Sequence, residues 1–293
     1  MSGGSASFFG RAEALDAGFK GEREGHGLMP VEVGLELYGE RPVILPSYTG
    51  YVSRGLLLHI LRRVDPGLSA SLHEADKPKP YSVTPLRFKA REKLKEGYLL
   101  DPAYPCRVCF RFLQDGLMER FMRFFQEMGE LLLFEEPFHV ASMRLRSTSY
   151  RELWESSEAH GESFRLYFKT PTYLAVSGTE YHYLFPDHQR IFPNLLRIWN
   201  HFSDDETFNG EELTEYKEWL HRNMGVSQHS LETRIAYMRE KKATGFTGWA
   251  TYEMKEKDRW SRVTVTLARY AEYSNIGGNR TGGFGVTKHE VIT

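Results

Sequence analysis

One histidine and two lysines that lie close together in the sequence have side chains suited to chemistry. His73, Lys77 and Lys79 share a short stretch that Pro78 and Pro80 stiffen. Imidazole has an unperturbed pKa of about 6.5, so it can both take and give a proton near neutral pH. Lysine ammonium groups can offset the negative charge that develops on a reacting phosphate. The stretch therefore suits acid–base chemistry at a phosphodiester, and the alternative is a hydrogen-bonded loop histidine with no chemical role.

A glycine-rich loop near the C-terminus is a second candidate site. It runs from Asn275 to Val286 and contains Arg280 together with five glycines, at positions 277, 278, 282, 283 and 285. Glycine adopts positive φ without steric cost, so such a loop can direct several backbone N–H groups at one anion. A dinucleotide fingerprint needs a following helix and a later acidic residue, and a P-loop needs Gly-Lys-Ser/Thr. With neither present, a clamp on a nucleic-acid backbone is favoured over a mononucleotide loop, and a long hairpin turn is the alternative.

The composition indicates a globular protein with two domains. The 293 residues are 41% hydrophobic and 14% aromatic, which is enough for two cores. No apolar run approaches the ~18 residues needed to cross a membrane, and no signal-peptide segment begins the chain. We therefore expect a cytoplasmic protein that does not engage a membrane. The first 28 residues, rich in Gly, Ser and Ala, are expected to form a flexible extension.

The net charge of −1 argues against a protein that is basic all over, but the charges are unevenly distributed. Residues 77–95 carry seven basic residues and one acid, and residues 259–288 carry five and one. This distribution is consistent with one basic face. Cys106 and Cys109 form a C-x-x-C pattern on an alternating strand, where residues three apart face opposite sides. The pattern therefore predicts neither a disulfide nor a metal site, and we expect no metal and no cofactor.

The elements that must position these residues form two similar passes along the chain. The periodicity of apolar residues predicts, in the first pass, strands at 31–38, 81–88, 106–112 and 138–146, with helices at 49–64 and 115–131. In the second pass it predicts a strand from Phe164, a helix after Pro193, strands at 228–239, 245–255 and 284–291, and a helix at 258–273. An acidic helix at 210–223 is expected as an insertion. Each pass has the order βαββαβ, which is typical of ferredoxin-like and RNA-recognition folds. We therefore predict an α+β protein with two tandem ferredoxin-like domains, at 29–150 and 151–293.

Three motifs in this order resemble a known family. They are Leu72-His-Glu-(x)4-Lys79-Pro-Tyr-Ser-Val-Thr-Pro-Leu86, Phe164-(x)3-Phe-Lys-Thr-Pro171 and Gly277-Gly-Asn-Arg-Thr-Gly-Gly-Phe-Gly285. The chain resembles the CRISPR-associated endoribonucleases of the RAMP superfamily, which cut precursor CRISPR RNA within its repeats. The resemblance implies two ferredoxin-like domains and metal-independent cleavage. In such cleavage a 2′-hydroxyl attacks the adjacent phosphate and leaves a 2′,3′-cyclic phosphate and a 5′-hydroxyl.

The resemblance also implies roles for particular residues. His73 takes the place of the catalytic histidine, and Lys79 takes that of the lysine that steadies the phosphate, with Lys77 beside it. Leu58 stands where such enzymes carry a helix tyrosine, and His59 or Tyr51 could substitute for it. RNA contacts are expected from the glycine-rich loop and the strand after it, namely Gly277, Gly278, Asn279, Arg280, Gly282, Gly283, Phe284, Gly285 and Lys288.

The alternatives concern both individual residues and the whole chain. The arginines at 107, 111, 144 and 146 alternate outward on predicted strands, where they either line an RNA surface or pair with acids. The expected partner is CRISPR repeat RNA, bound by a monomer or a homodimer, with a multi-subunit effector complex as a further candidate. Because Leu58 replaces the tyrosine, the alternative function is a repeat-RNA-binding subunit that does not cleave.

Overall fold

A computed structural model of the chain describes residues 30–72, 78–127, 131–157, 163–176, 178–238 and 241–292. The predicted extension at 1–28 lies outside these residues. So do His73 and Lys77, which belong to the stretch between 72 and 78. The structure thus describes the elements on both sides of the candidate catalytic segment.

The first domain follows the predicted βαββαβ order. Its elements are β1 (Val31–Gly39), β2 (Ile44–Leu45), α1 (Gly50–Val64), α2 (Pro66–Ser71), β3 (Tyr81–Val83), β4 (Ala90–Lys93), β5 (Tyr98–Leu100), β6 (Cys106–Phe112), α3 (Asp115–Glu127), β7 (Leu131–Leu133) and β8 (Glu136–Ser147). The main sheet has the order β3-β6-β1-β8-β7, and β2, β5 and β4 form a small separate sheet. The four strands of the repeat therefore lie in the order 2-3-1-4 of a ferredoxin-like fold, with β7 added at one edge.

The second domain repeats this arrangement. Its elements are α4 (Tyr150–Glu155), β9 (Ser163–Thr172), β10 (Leu174–Ala175), β11 (His182–Tyr183), α5 (His188–Phe202), α6 (Gly210–Asn223), β12 (Met224–Met238), β13 (Lys241–Met254), α7 (Arg259–Ser274) and β14 (Thr287–Val291). The main sheet has the order β12-β13-β9-β14, which is again 2-3-1-4. The prediction of two tandem ferredoxin-like folds is confirmed, with α6 inserted between α5 and β12.

Local sequence explains where these elements begin. In β9 every second residue is buried, as the alternation of Phe164, Leu166 and Phe168 predicts. The helix α7 starts at a capping box in which the Asp258 side chain accepts a hydrogen bond from the Ser261 N–H. Two predicted strands are shorter than expected. The strand predicted at 81–88 ends at Val83, and the last strand begins at Thr287 because the residues before it belong to the loop.

Each sheet has its own hydrophobic core. The first core lies between the first sheet and the helices α1 and α3, and the second between the second sheet and α5, α6 and α7. Tyr150 and Leu153 of α4 belong to the second core. We therefore keep the division near residue 150 as a proposal for the domain boundary.

The two cysteines are both free, and only Cys106 is fully buried. In the register of β6 with β1, Cys106 lies opposite Leu37 and Cys109 lies opposite Gly34. Because the two cysteines are three residues apart on one strand, their thiols face opposite sides of the sheet, as predicted.

Candidate functional site

The glycine-rich loop of the second domain lies directly against the first domain. A Cβ atom added to Gly50, at the start of α1, would come within 1.9 Å of the Gly282 carbonyl oxygen. The short 3-10 turn Arg280–Gly282 also contacts β3. The Gly282 carbonyl can approach α1 this closely only because Gly50 carries no side chain. The loop is therefore a contact between the domains, and it reaches the start of α1 and β3, the strand that follows the His73–Lys79 segment.

Asn275, the first residue of the loop, holds this contact together. It is fully buried, and its side-chain Nδ2 donates to the carbonyl oxygens of Val83 (3.1 Å), Arg280 (3.2 Å) and Phe284 (3.0 Å). Its Oδ1 accepts a 2.6 Å hydrogen bond from Nη1 of Arg111. One amide side chain therefore joins β3 and β6 of the first domain to both arms of the loop.

The arginines predicted on the outer face of the first sheet mostly pair with acids. Arg111 is only 6% exposed and donates from Nε to Glu32 at 2.6 Å. Arg107 pairs with Glu36 at 3.3 Å, and Arg146 with Glu272 of α7 at 3.0 Å. For these three residues the structure supports the acid-pairing alternative. Arg111 and Arg146 join the two domains, because the C-terminal end of α7 covers their part of the sheet.

The loop does not present its glycine N–H groups as an open anion cradle. Gly278 and Gly285 donate to the carbonyl oxygens of Tyr173 and Pro171, and Gly282 and Gly283 donate within the loop. The glycines instead allow neighbouring backbone segments to approach each other closely. A Cβ on Gly285 would lie 1.8 Å from the Ile276 carbonyl oxygen. The expectation that these four N–H groups hold an anion is thus wrong for this conformation.

Phe284 has no exposed surface, in contrast to the RNA contact expected of it. Its ring packs 4.7 Å from that of Tyr48 and 5.6 Å from that of Tyr173. These three residues, with Ala236, form a small core between the domains. A buried ring cannot stack on a base, so Phe284 anchors the loop from within.

The rim of the loop is more accessible. Asn279 donates from Nδ2 to the Tyr51 hydroxyl at 2.6 Å. Arg280 is half-buried and donates from Nη1 to the Ser274 carbonyl oxygen at 2.7 Å, and burial lowers the pKa of its guanidinium. Lys288, on β14, is exposed. Three of the predicted RNA contacts therefore have side chains that are at least partly accessible, namely Asn279, Arg280 and Lys288.

A second group of polar side chains forms where the loop meets α1 and β3. Burial raises the pKa of the Tyr81 hydroxyl, and the nearby Arg54 and Thr281 oppose that shift. Lys79 is half-buried and lies two residues before Tyr81. The backbone next to it is held by a 2.9 Å hydrogen bond from the Leu113 N–H to the Pro80 carbonyl oxygen. Lys79 therefore lies close in sequence to the meeting point of α1, β3 and the loop.

His59 lies on a different part of α1. It lines an apolar groove of about 840 Å³ together with Tyr51, Phe134 and Met238. Partial burial, and then the charges of Arg63 and Arg62, lower the pKa of its imidazole. His59 is eight residues after Tyr51, which is about 12 Å along a helix. His59 thus shares the groove with the loop contact Tyr51 but lies about two turns away from it.

No sequence pattern singles out Asn275, Arg54 or Thr281. Asn275 has a φ of 58°, which is unusual for a residue with a side chain, but backbone angles are not visible in a sequence. Among the described residues, no cluster of three or more metal-binding side chains is present. Within the same residues, no helix combines the length and apolarity needed to cross a bilayer.

Two ferredoxin-like folds in tandem, joined through a glycine-rich loop before the last strand, are the architecture that the sequence resemblance implies. The comparisons with known proteins agree with this class. Residues 166–287 match the family model of the CRISPR-associated endoribonuclease Cas6. No curated protein sequence matched the chain.

Solved structures extend the match to most of the chain. The product complex of a Cas6 protein (TTHB231) is 27% identical with a TM-score of 0.74, and the match covers 89% of this chain and 99% of the other. A structure of Thermus thermophilus Cas6 (TTHB231) is 26% identical with a TM-score of 0.69, over 91% and 100%. The product complex of another Cas6 (TTHA0078), 21% identical with a TM-score of 0.67 over 90% and 100%, shows the same fold. The resemblance to the CRISPR-associated endoribonucleases that the motifs predict is confirmed by this family match and by the similarity to these Cas6 structures.

Proposed function

We propose that the protein is a metal-independent endoribonuclease that cuts CRISPR repeat RNA by transesterification. One observation carries the proposal: the glycine-rich loop packs on the start of α1 and on β3, the strand that begins two residues after Lys79. An RNA held at the rim of the loop would therefore lie near β3 and the described end of the candidate catalytic segment. The solved Cas6 product complexes are consistent with RNA as the ligand.

The proposed reaction needs two proton transfers and a stabilised phosphate. The 2′-hydroxyl loses its proton to a base, its oxygen bonds to phosphorus, the P–O5′ bond breaks, and O5′ takes a proton. We assign one of these transfers to His73. Lys79, with Lys77, stabilises the charge on the phosphorane.

His59 is the second candidate for a proton transfer. Because partial burial and then Arg63 and Arg62 lower its pKa, its imidazole is mainly neutral at pH 7 and suited to accept a proton. Arg54 and Thr281, next to Tyr81, add polar groups on the α1 side. Asn279, Arg280 and Lys288 would contact the RNA. The half-buried Gly277 and Gly278 and the buried Gly282, Gly283 and Gly285, with Phe284, would shape the loop rather than touch the RNA.

The experiment is cleavage of the cognate repeat RNA in EDTA, with analysis of the product ends. We expect a 2′,3′-cyclic phosphate and a 5′-hydroxyl. A single 2′-deoxynucleotide 5′ of the scissile phosphate should abolish the cut and leave binding intact. His73→Ala should lower the single-turnover rate at least about 100-fold, since general acid–base catalysis contributes about 10²–10⁴-fold. Lys79→Ala should lower the rate without a matching loss of affinity.

The controls separate the mechanism from the alternatives. His59→Ala reports whether the second imidazole takes part, and Arg151→Ala changes an exposed charge on α4, away from the loop. Full activity of His73→Ala, or a requirement for a divalent metal, would contradict the proposed mechanism. Tight binding with no cut by the wild-type chain would instead support the non-cleaving RNA-binding subunit. Light scattering of the RNA complex distinguishes monomer from homodimer, and co-purification with the product tests delivery to an effector complex.

A further inference from the structure

The open face of the second sheet carries two aromatic side chains that the proposed cleavage site does not use. Tyr167 on β9 and Trp249 on β13 lie directly opposite each other in the strand register. These are the two central strands in the order β12-β13-β9-β14. Both rings are partly exposed, whereas Phe164, Leu166 and Phe168 of β9 point into the core. The face that bears the two rings is thus the one opposite the helices.

Each ring is paired with a cation. The Arg165 guanidinium lies 4.0 Å from the Trp249 ring, and the Lys169 ammonium 4.6 Å from the Tyr167 ring. Lys288 of β14 is opposite Tyr167 on the other side. Two acids lie on the same face: Glu290, opposite Arg165, accepts a hydrogen bond from the Tyr167 hydroxyl, and Glu232 pairs with Arg234. Aromatic faces next to cations suit a ligand with flat bases and a phosphate backbone.

The rings also line an open groove. The groove has a volume of about 580 Å³ and is bounded by Tyr167, Trp249, Arg234 and the exposed Tyr237. At its far side it reaches Tyr48, which also lines the α1 groove and packs on Phe284 of the glycine-rich loop. The two grooves are therefore neighbours, with Tyr48 in the lining of both.

We propose that this open sheet face binds a single-stranded segment of RNA by stacking its bases on Tyr167 and Trp249. Unpaired bases can stack on aromatic residues of the central strands of such sheets, whereas the bases of a duplex are covered by their neighbours in the stack. The inference rests on the proposed function for the source of the RNA, because the bound segment would be a flank of the repeat RNA cut near the loop. It assigns this face a role in anchoring the flank, separate from the chemistry.

The test compares three RNAs and four proteins. The first RNA is the repeat alone, the second carries an added single-stranded decamer at its 5′ end, and the third carries it at its 3′ end. The proteins are the full-length wild type, Trp249→Ala, Trp249→Phe and Tyr104→Ala. Tyr104 is the matched control, because it is exposed and lies 3.5 Å below the Lys89 ammonium but is not in either groove.

We expect one of the flanked RNAs to bind the wild type more tightly than the bare repeat. Trp249→Ala should weaken that binding by about 5- to 100-fold, as expected for the loss of one stacked base, and should remove the advantage of the flank. Trp249→Phe should restore most of it, because a ring face remains. Tyr104→Ala should bind both RNAs as the wild type does, and circular dichroism confirms that each variant is folded.

Two results would overturn the inference. In the first, Trp249→Ala binds the flanked RNA as tightly as the wild type does. In the second, it loses affinity equally for the bare repeat, which means that the face binds the repeat itself. The wild-type cleavage assay in the same buffer tests the proposed function separately. Absence of cleavage there with flank-dependent stacking intact would contradict the endonuclease mechanism and leave the stacking site in place.

Discussion

Replacing Asn275 tests whether the glycine-rich loop joins the two domains. Its backbone has φ 58° and ψ 169°, a combination that is nearly exclusive to glycine and costs about 1–3 kcal/mol for other residues. The loop contains five glycines, yet this position has an asparagine. The side chain must therefore contribute more than the backbone strain costs, and its hydrogen bonds to Val83, Arg280, Phe284 and Arg111 are the source.

The magnitude follows from those bonds. Two amide protons are shared among three carbonyl oxygens, and one acceptor bond comes from Arg111, so about three effective bonds are lost in Asn275→Ala. At about 1–1.5 kcal/mol each, including the groups left buried without a partner, the loss is about 3–5 kcal/mol. Asn275→Gly loses the same bonds but also relieves the backbone, so we expect it to be about 1–3 kcal/mol more stable than Asn275→Ala. Both variants should remain less stable than the wild type.

Urea unfolding measures these differences with two probes. All five tryptophans lie at or after residue 154, so fluorescence reports the second domain, while circular dichroism reports both domains. We expect the two transitions to coincide in the wild type and to separate in Asn275→Ala. Two results would refute the reasoning: a loss of unfolding free energy below about 1 kcal/mol in Asn275→Ala, or an Asn275→Gly variant more stable than the wild type. Either result would mean that the hydrogen bonds contribute less than the backbone strain costs.

Two further predictions concern stability. Gly50→Ala should destabilise the protein by more than about 2 kcal/mol, since a core overpacked against a fixed backbone costs about 1–3 kcal/mol and the Cβ would lie 1.9 Å from the Gly282 carbonyl oxygen. Gly55→Ala, on the same helix with nothing within 4 Å, should stabilise it by up to about 1 kcal/mol. Equal effects in urea unfolding would contradict the close contact. Burial lowers the pKa of His188, so the unfolded chain binds more protons in acid and stability should fall as the pH drops below about 6.5. His188→Gln should reduce the difference between urea midpoints at pH 5 and pH 7.5, and an unchanged difference would show that His188 does not contribute.

The fold was predictable because its signals are local. The alternation of Phe164, Leu166 and Phe168 and the helical spacing of the α1 residues are visible within short windows. The order of elements then limits the topology to ferredoxin-like units. The lengths of β3 and β14 were less predictable, because the residues beyond them form contacts with the other domain that no short window contains.

The roles of the loop residues were harder to predict for a physical reason. A glycine that directs its N–H to an anion and a glycine that lets two backbones touch have the same sequence signature. Gly50 and Gly282 are 232 positions apart, and only the folded chain shows that they meet. Similarly, strand alternation places Arg111 on the face away from the core, but not under the end of α7 and the loop. Sequence periodicity identifies a face and does not identify what covers it.

The position of the loop changes how its mutants must be interpreted. Gly283 and Gly285 have positive φ and lie against Gly50 and Ile276, so any side chain there disturbs the contact between the domains. A loss of RNA binding in such a variant therefore does not show that the glycine touches RNA. Lys288 is the better probe, because its exposed side chain can be removed without disturbing the contact. If Lys288→Ala weakens RNA binding at unchanged stability, the strand that follows the loop contacts RNA directly, whereas losses confined to the glycine variants would assign the loop a structural role alone.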